Sequence, residues 1–395
     1  MGLGARLDAV NFFLADVRGG MGPYVGVYLL TVAHWDQAQI GAVLTASGLI
    51  GICAHAPIGL LIDATRAKRA LVVAATLALG ACAIAIERFP TGPVVFTADV
   101  VMAVLGAIFA PVIAAITLGL VAERDLAARI GRNAVFDRVG NLFIAALAGL
   151  AATWFGQRVV FYLVPMFCAP AVVAVLSIPA RAIDHAKARG LTENETSGDV
   201  ESGWRFFTKH RAFAGFCVLI AAFHFANSSM LPLIGQKLAL SHPGYEASFM
   251  SACILVAQLA AIPSGWLVAT RADSIGHWPL LFAACLLLPV RGMIFALVDN
   301  PAVLVSAQVL DGLGVGLFDA LLPLILADLV RGSGRYNLAR GIAGMVQGIG
   351  GSISNVVAGL VIVAYGYSAG FAALAAVSLV AVAMAANLAR KSVSR

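Results

Sequence analysis

The chain has 395 residues, of which 61% are apolar and 12% charged, with a formal net charge of +6 and a mean hydropathy of +0.93. Charged residues make up about a quarter of an ordinary soluble domain, so these figures exclude a soluble globule and point to a polytopic membrane protein. The basic excess calls for no nucleic-acid partner, because its distribution along the chain follows membrane topology.

Apolar runs of about twenty residues predict spans near 9–33, 37–62, 70–88, 93–121, 131–154 and 159–180, then 211–238, 247–269, 278–298, 302–330, 338–364 and 370–389. All are expected to be helices, because lipid offers backbone amides no partners and the alternation of a barrel strand is missing. The first span carries Asp16 and Arg18 and is longer than a signal core, so it is read as a retained helix. The one long polar stretch, 181–210, separates the two sets of six. The expected architecture is therefore an all-α membrane protein with twelve transmembrane helices in two pseudo-symmetric six-helix bundles, 1–180 and 211–395, joined by a cytoplasmic linker. Within that linker, Trp204-Arg205-Phe206-Phe207 reads as a short amphipathic helix on the inner leaflet.

With both termini in the cytoplasm, the inner loops collect nearly all the arginines and lysines, leaving little more than Arg88, Arg158 and Lys237 outside. Trp35, Trp154, Trp204, Trp266 and Trp278 all fall at expected interfaces. The six cysteines are scattered singly, without a Cys-x-x-Cys pair, and read as small packing residues.

The two sets of spans repeat one another at a spacing of roughly 210 residues. Gly131, Gly140, Ala148, Gly149, Gly156 and Phe161 return as Gly341, Gly350, Ala358, Gly359, Gly366 and Phe371, and Pro57, Gly59 and Leu61 return as Pro263, Gly265 and Leu267. Internal repeats in a membrane chain imply two half-domains with a ligand site near the bilayer midplane.

Between the second and third spans stands Gly59-Leu60-Leu61-Ile62-Asp63-Ala64-Thr65-Arg66-Ala67-Lys68-Arg69. This stretch resembles the signature loop of the major facilitator superfamily in Gly59, Leu61, Asp63 and the basic cluster, with Ala64 in place of the first basic residue and Arg66 in place of the second glycine. The resemblance extends over the whole chain and implies a secondary transporter, with Gly59, Asp63, Arg66, Lys68 and Arg69 in an inner gate, joined by Asp328 and Arg331 at the inner end of helix ten. A topogenic basic loop would account for Lys68 and Arg69 but not for Gly59 with Asp63. The glycine-punctuated Gln308-Val309-Leu310-Asp311-Gly312-Leu313-Gly314-Val315-Gly316 is similar to the central helix of many members.

Ionisable residues inside spans are candidates for function, because an unpaired charge in lipid is costly. Asp16, Asp319, His224 and Asp311 are the candidates for proton coupling. Asp16, Arg18, Asp137, Arg138, Asn141, Asn227, Gln308 and Gln347 are the candidates for contact with substrate. Matched depths of roughly 10–12 Å allow Asp16 to meet Arg138, and Arg18 to meet Asp137. Arg291 and Asp311 lie at comparable depths and read as a structural ion pair. His224 either titrates near neutral pH or is a buried neutral ring. At the inner ends, Glu123 is expected near Arg129 and Arg132, and Asp328 near Arg331 and Arg335.

No phosphate-cradling loop, metal-ligand spacing or nucleophile constellation is present, so neither an enzyme nor a cofactor is expected. The expected activity is proton-coupled export of a small organic molecule from a monomer in a bacterial inner membrane, with the substrate, protons and the lipid bilayer as its partners. Two alternatives stand beside it: proton symport of a small anionic metabolite, and a membrane sensor that transports nothing.

Overall fold

The computed structural model describes residues 2–19, 22–184, 211–329 and 336–393. The linker and the side chains of Asp16, Arg18, Asp63 and Arg331, together with Gly59, lie outside the described set. Among the described residues every regular element is helical, as an apolar chain in lipid requires. The first unit comprises Met1–Leu29 and Ala46–Asp199, and the second Leu30–Thr45 and Val200–Arg395.

In the first unit, α1 (Leu3–Gly19) and α2 (Gly22–Thr31) share the first crossing. They are followed by α3 (Gln37–Ala64), α4 (Lys68–Arg88), α5 (Gly92–Leu120), α6 (Glu123–Phe155) and α7 (Val159–Ser177). In the second unit, α8 (Arg211–Ser228) and α9 (Met230–Ser241) are separated only by Ser229. After α10 (Glu246–Ile275) and α11 (His277–Leu297), α12 (Pro301–Ser306) and α13 (Gln308–Leu329) are separated only by Ala307. Pro301 starts α12 and Asn300 caps it, its Oδ1 accepting from the amides of Ala302 (2.9 Å) and Val303 (3.4 Å).

The last helix, α14, runs from Tyr336 to Val393. At 1.5 Å per residue so long a rod would far exceed a bilayer of about 30 Å. Gly366 resolves the excess by leaving helical geometry, at φ 82° and ψ 172°, which makes two crossings of one element. Ten segments are long and apolar enough to span a membrane among the described residues. Counting α14 as two and adding α1 with α2 gives the twelve crossings expected from the sequence.

Glycines bring helices together where lipid supplies no hydrophobic drive. A Cβ on Gly140 of α6 would strike the Phe12 carbonyl and Ala15 of α1, and one on Gly350 of α14 would strike the Ala221 carbonyl of α8. The first turns of α3 belong to the second unit, where they lie against α14. There Thr45 Oγ1 donates to the Ser352 carbonyl at 2.6 Å, and Gln37 Nε2 to the Tyr367 hydroxyl at 2.8 Å.

Candidate functional site

The second unit holds a polar layer between two apolar clusters. One cluster gathers Phe216, Phe223, Leu288, Phe318 and their neighbours, and the other gathers Met230, Cys253, Phe295, Leu304 and Phe371. Asn227 on α8, Arg291 on α11, and Gln308 with Asp311 on α13 fall in the interval between them along each helix. Arg291 is 1% exposed. Its Nη2 donates to Asn227 Oδ1 at 2.7 Å, its Nε and Nη2 approach Met230 Sδ at 3.3 and 3.1 Å, and its Nη1 forms an ion pair with Asp311. The matched depths of Arg291 and Asp311 thus end in contact. Gln308, one turn before Asp311, is fully buried beside the Cys253 thiol, and neither of its amide atoms makes a hydrogen bond among the described residues.

The two helix breaks frame this layer. Met230 follows the break at Ser229, and Gln308 follows the break at Ala307. Ser229 Oγ is held by Ser354 Oγ at 2.7 Å and by Asn355 Oδ1 at 3.0 Å, so a side-chain network ties the first break to α14. Discontinuous helices of this kind are tolerated in membranes where the backbone is buried in protein or faces water. His224, one turn from Asn227, is buried and stands edge-on to Phe318 at 5.3 Å between ring centroids. Its Nε2 makes no hydrogen bond among the described residues. Asp319 is exposed on α13, and Gln347 is half-buried on α14.

In the first unit the charges gather at the inner end. Asp8 accepts from Arg129 Nη2 at 2.5 Å and from Arg132 through Nε (3.0 and 3.1 Å) and Nη2 (2.7 Å). Arg129 also reaches Asn133 Oδ1 and the Gly4 carbonyl. Burial by itself would raise the Asp8 carboxyl, but the two guanidinium groups outweigh it and hold the group below the usual carboxylate value. The acid that Arg129 and Arg132 meet among the described residues is Asp8, far off in sequence on α1, while the side chain of Glu123, expected near them, lies outside the described residues. Likewise Asp328 pairs with His277 at 2.8 Å and ties α13 to α11, while Arg331 and Arg335 lie outside the described residues.

The signature loop has a defined local task. Lys68, 1% exposed, donates to the Ile62 and Thr65 carbonyls at 2.7 and 2.9 Å and so caps the end of α3. Arg69 caps α7 through the carbonyls of Leu176 and Ile178. Cations at helix C-termini satisfy orphan carbonyls and the helix dipole together. Arg66 is exposed. On α6, Asp137 and Asn141 are half-buried, with Asn141 Nδ2 donating to the Asp137 carbonyl at 3.0 Å. Arg138 is exposed in mid-span.

One acid, Glu87, escaped the sequence reading, and another, Asp99, is legible there as an ionisable residue inside a span but without a partner. Asp99 on α5 accepts from Ser47 Oγ on α3. Glu87, its side chain 3% exposed at the outer end of α4, accepts from the Tyr162 hydroxyl at 2.9 Å and lies 3.6 Å from both Arg88 and Arg158. Glu87 is the lone acid of α4 and stands beside Arg88, one of its partners, but nothing in the sequence pointed to Tyr162 or Arg158, or to Ser47 as the partner of Asp99. Among the described residues no three His, Cys, Asp or Glu side chains gather as metal ligands.

The sequence profile described as Major Facilitator Superfamily matches residues 7–301. Two proteins of Mycobacterium tuberculosis, strains CDC 1551 / Oshkosh and H37Rv, each described as an uncharacterized MFS-type transporter, are 41% identical over 373 residues, covering 94% of this chain and 89% of their own length. Among solved structures, a mutant of the nucleoside transporter NupG superposes with a TM-score of 0.82 at 16% identity, over 98% of this chain and 99% of that one. A POT family transporter in complex with a thioalcohol-conjugated peptide superposes at 0.77 and 13% identity, over 99% and 96%. At such identities the two structures speak for the fold alone.

Proposed function

The chain belongs to the Major Facilitator Superfamily and is an MFS-type, multi-pass membrane transporter, and from that premise we propose that it is a proton-coupled secondary active transporter exporting a small organic molecule by alternating access. The carrying observation is that both units keep ionisable side chains within their spans, Arg291 with Asp311 in the second and Asp99 in the first. Each such residue costs about 2.5–3.5 kcal/mol on insertion scales. A static scaffold would avoid that cost with apolar residues, whereas a proton carrier needs them. The basic inner loops support an inner-membrane placement with both termini in the cytoplasm.

Arg291 is neutralised by Asp311 in mid-span, which favours a neutral or cationic export substrate, while Arg129 and Arg132 share the one carboxylate of Asp8 at the start of their helices. Arg138 favours a second reading, symport of a small anionic metabolite, because it is exposed in mid-span and forms no ion pair among the described residues. Purified protein in vesicles loaded with a pH-sensitive dye separates the two. Proton movement evoked by cationic drugs or siderophores, and lost in Asp16→Asn, supports export. Movement evoked by organic anions and lost in Arg138→Gln supports symport. Silence across the whole panel overturns transport in favour of a sensor.

A further inference from the structure

The acids inside the spans have unlike partners. Asp311 faces the guanidinium of Arg291. Asp99 faces a hydroxyl, that of Ser47, and among the described residues no Arg, Lys or His forms an ion pair with it. The titratable groups around it are few among the described residues; α1, which packs on α5, also carries Asp16 and Arg18, whose side chains lie outside the described residues. From α4 the Cys82 thiol lies closest, and Glu87, further out, is engaged by Tyr162, Arg88 and Arg158. On α3, His55 stands two turns beyond Ser47 and bonds the Gly51 carbonyl at 2.8 Å. α6 carries no ionisable residue from Asn141 to Phe155, and α2 offers only Tyr24 and Tyr28, the latter donating to the Glu87 carbonyl.

Among the described residues this carboxylate meets no counter-charge, and a carboxylate without one is costly in a low dielectric. The neutral acid is at home there. Ser47 suits both states, because a hydroxyl accepts from a carboxylic acid and donates to a carboxylate. Asp99 lies seven residues from the start of α5, about 10 Å below its outer end, within reach of protons from outside. We propose that Asp99, paired with Ser47, is a proton-binding site of the first unit. On release the carboxyl O–H bond breaks, the proton passes to water at the outer end of α5, and the Ser47 hydroxyl donates to the carboxylate left behind. Ser47 stands two residues beyond Thr45, the last residue of the α3 segment that clusters with the second unit.

This inference rests on the proton-coupled reading, and the test separates the two. Dicyclohexylcarbodiimide couples to protonated carboxyls in apolar surroundings, and its adduct on the full chain in vesicles is located by mass spectrometry. The expected result is an adduct on Asp99 that falls several-fold as the pH is raised, with the midpoint moved to higher pH in Ser47→Ala, which removes a donor to the carboxylate. Asp99→Glu is expected to keep the adduct and Asp99→Asn to lose it along with solute-evoked proton flux. An Asp99 that stays unlabelled, or labels equally at every pH, overturns the site. Labelling with undiminished flux in Asp99→Asn overturns its part in coupling. A labelled Asp99 in a protein silent to every solute upholds the site and overturns the transport reading instead.

Discussion

The two units keep the same packing devices and place their charges differently. Gly156 at the end of α6 has φ 77° and ψ 171°, and its repeat partner Gly366 has φ 82° and ψ 172°. Each ends a crossing in a conformation that disfavours a side chain. Phe161 and Phe371, one turn further on, are both fully buried. Gly140 admits α1 to α6 as Gly350 admits α8 to α14. The charges follow no such symmetry: the first unit pairs Asp8 with two arginines at its inner end, and the second buries Arg291 with Asp311 in mid-span. Steric fit is needed equally in both copies, whereas a charge is needed only where something binds.

The largest expected effect tests the charges. Arg291→Met leaves Asp311 buried without its cation and should cost about 3–5 kcal/mol in denaturant unfolding, with most of the loss recovered by adding Asp311→Leu. Arg132→Met, whose side chain is 60% exposed, should cost about 1 kcal/mol or less. Equal costs for the two arginines would break the contrast between the units.

Next come the seams. Gly140→Leu and Gly350→Leu each force a side chain into a backbone carbonyl of the facing helix, and each should destabilise by about 1–3 kcal/mol. Similar losses sharpen the equivalence of the seams, and a loss at only one of them breaks it.

The smallest effect is a pH dependence confined to the first unit. Because the folded Asp8 carboxyl sits below its ordinary value of about 3.9, its contribution is complete above that value and fades as the pH falls through the lower, folded one. Asp8→Asn should therefore cost about 1 kcal/mol at neutral pH, since Arg129 keeps Asn133 and Gly4. The difference from wild type should vanish once the pH has fallen below the folded value. A difference that persists in strong acid would show that Asp8 acts by packing and not by charge.

Much of this was legible in the residues. The crossings fell within about eight residues of their predicted limits, except that the seventh and tenth are broken, at Ser229 and Ala307. The Arg291–Asp311 pair followed from depth alone, because neighbouring antiparallel helices leave few partners at one level. Nothing near Arg129 and Arg132 in sequence pointed to Asp8, because nearness along one helix says nothing of the helix packed against it. Lys68 and Arg69 showed their charge, but not the carbonyls they cap.

What the amino-acid sequence determined by itself was everything that lipid enforces: helices of spanning length, their number and the glycines at which crossings turn or approach. What only the tertiary structure decided was the partner of each charge. A helix turns about 100° per residue, so which neighbour a side chain meets depends on the rotation at which two helices lock. That rotation is a property of the packed pair, as Asp8 with Arg129 and Asp99 with Ser47 both show.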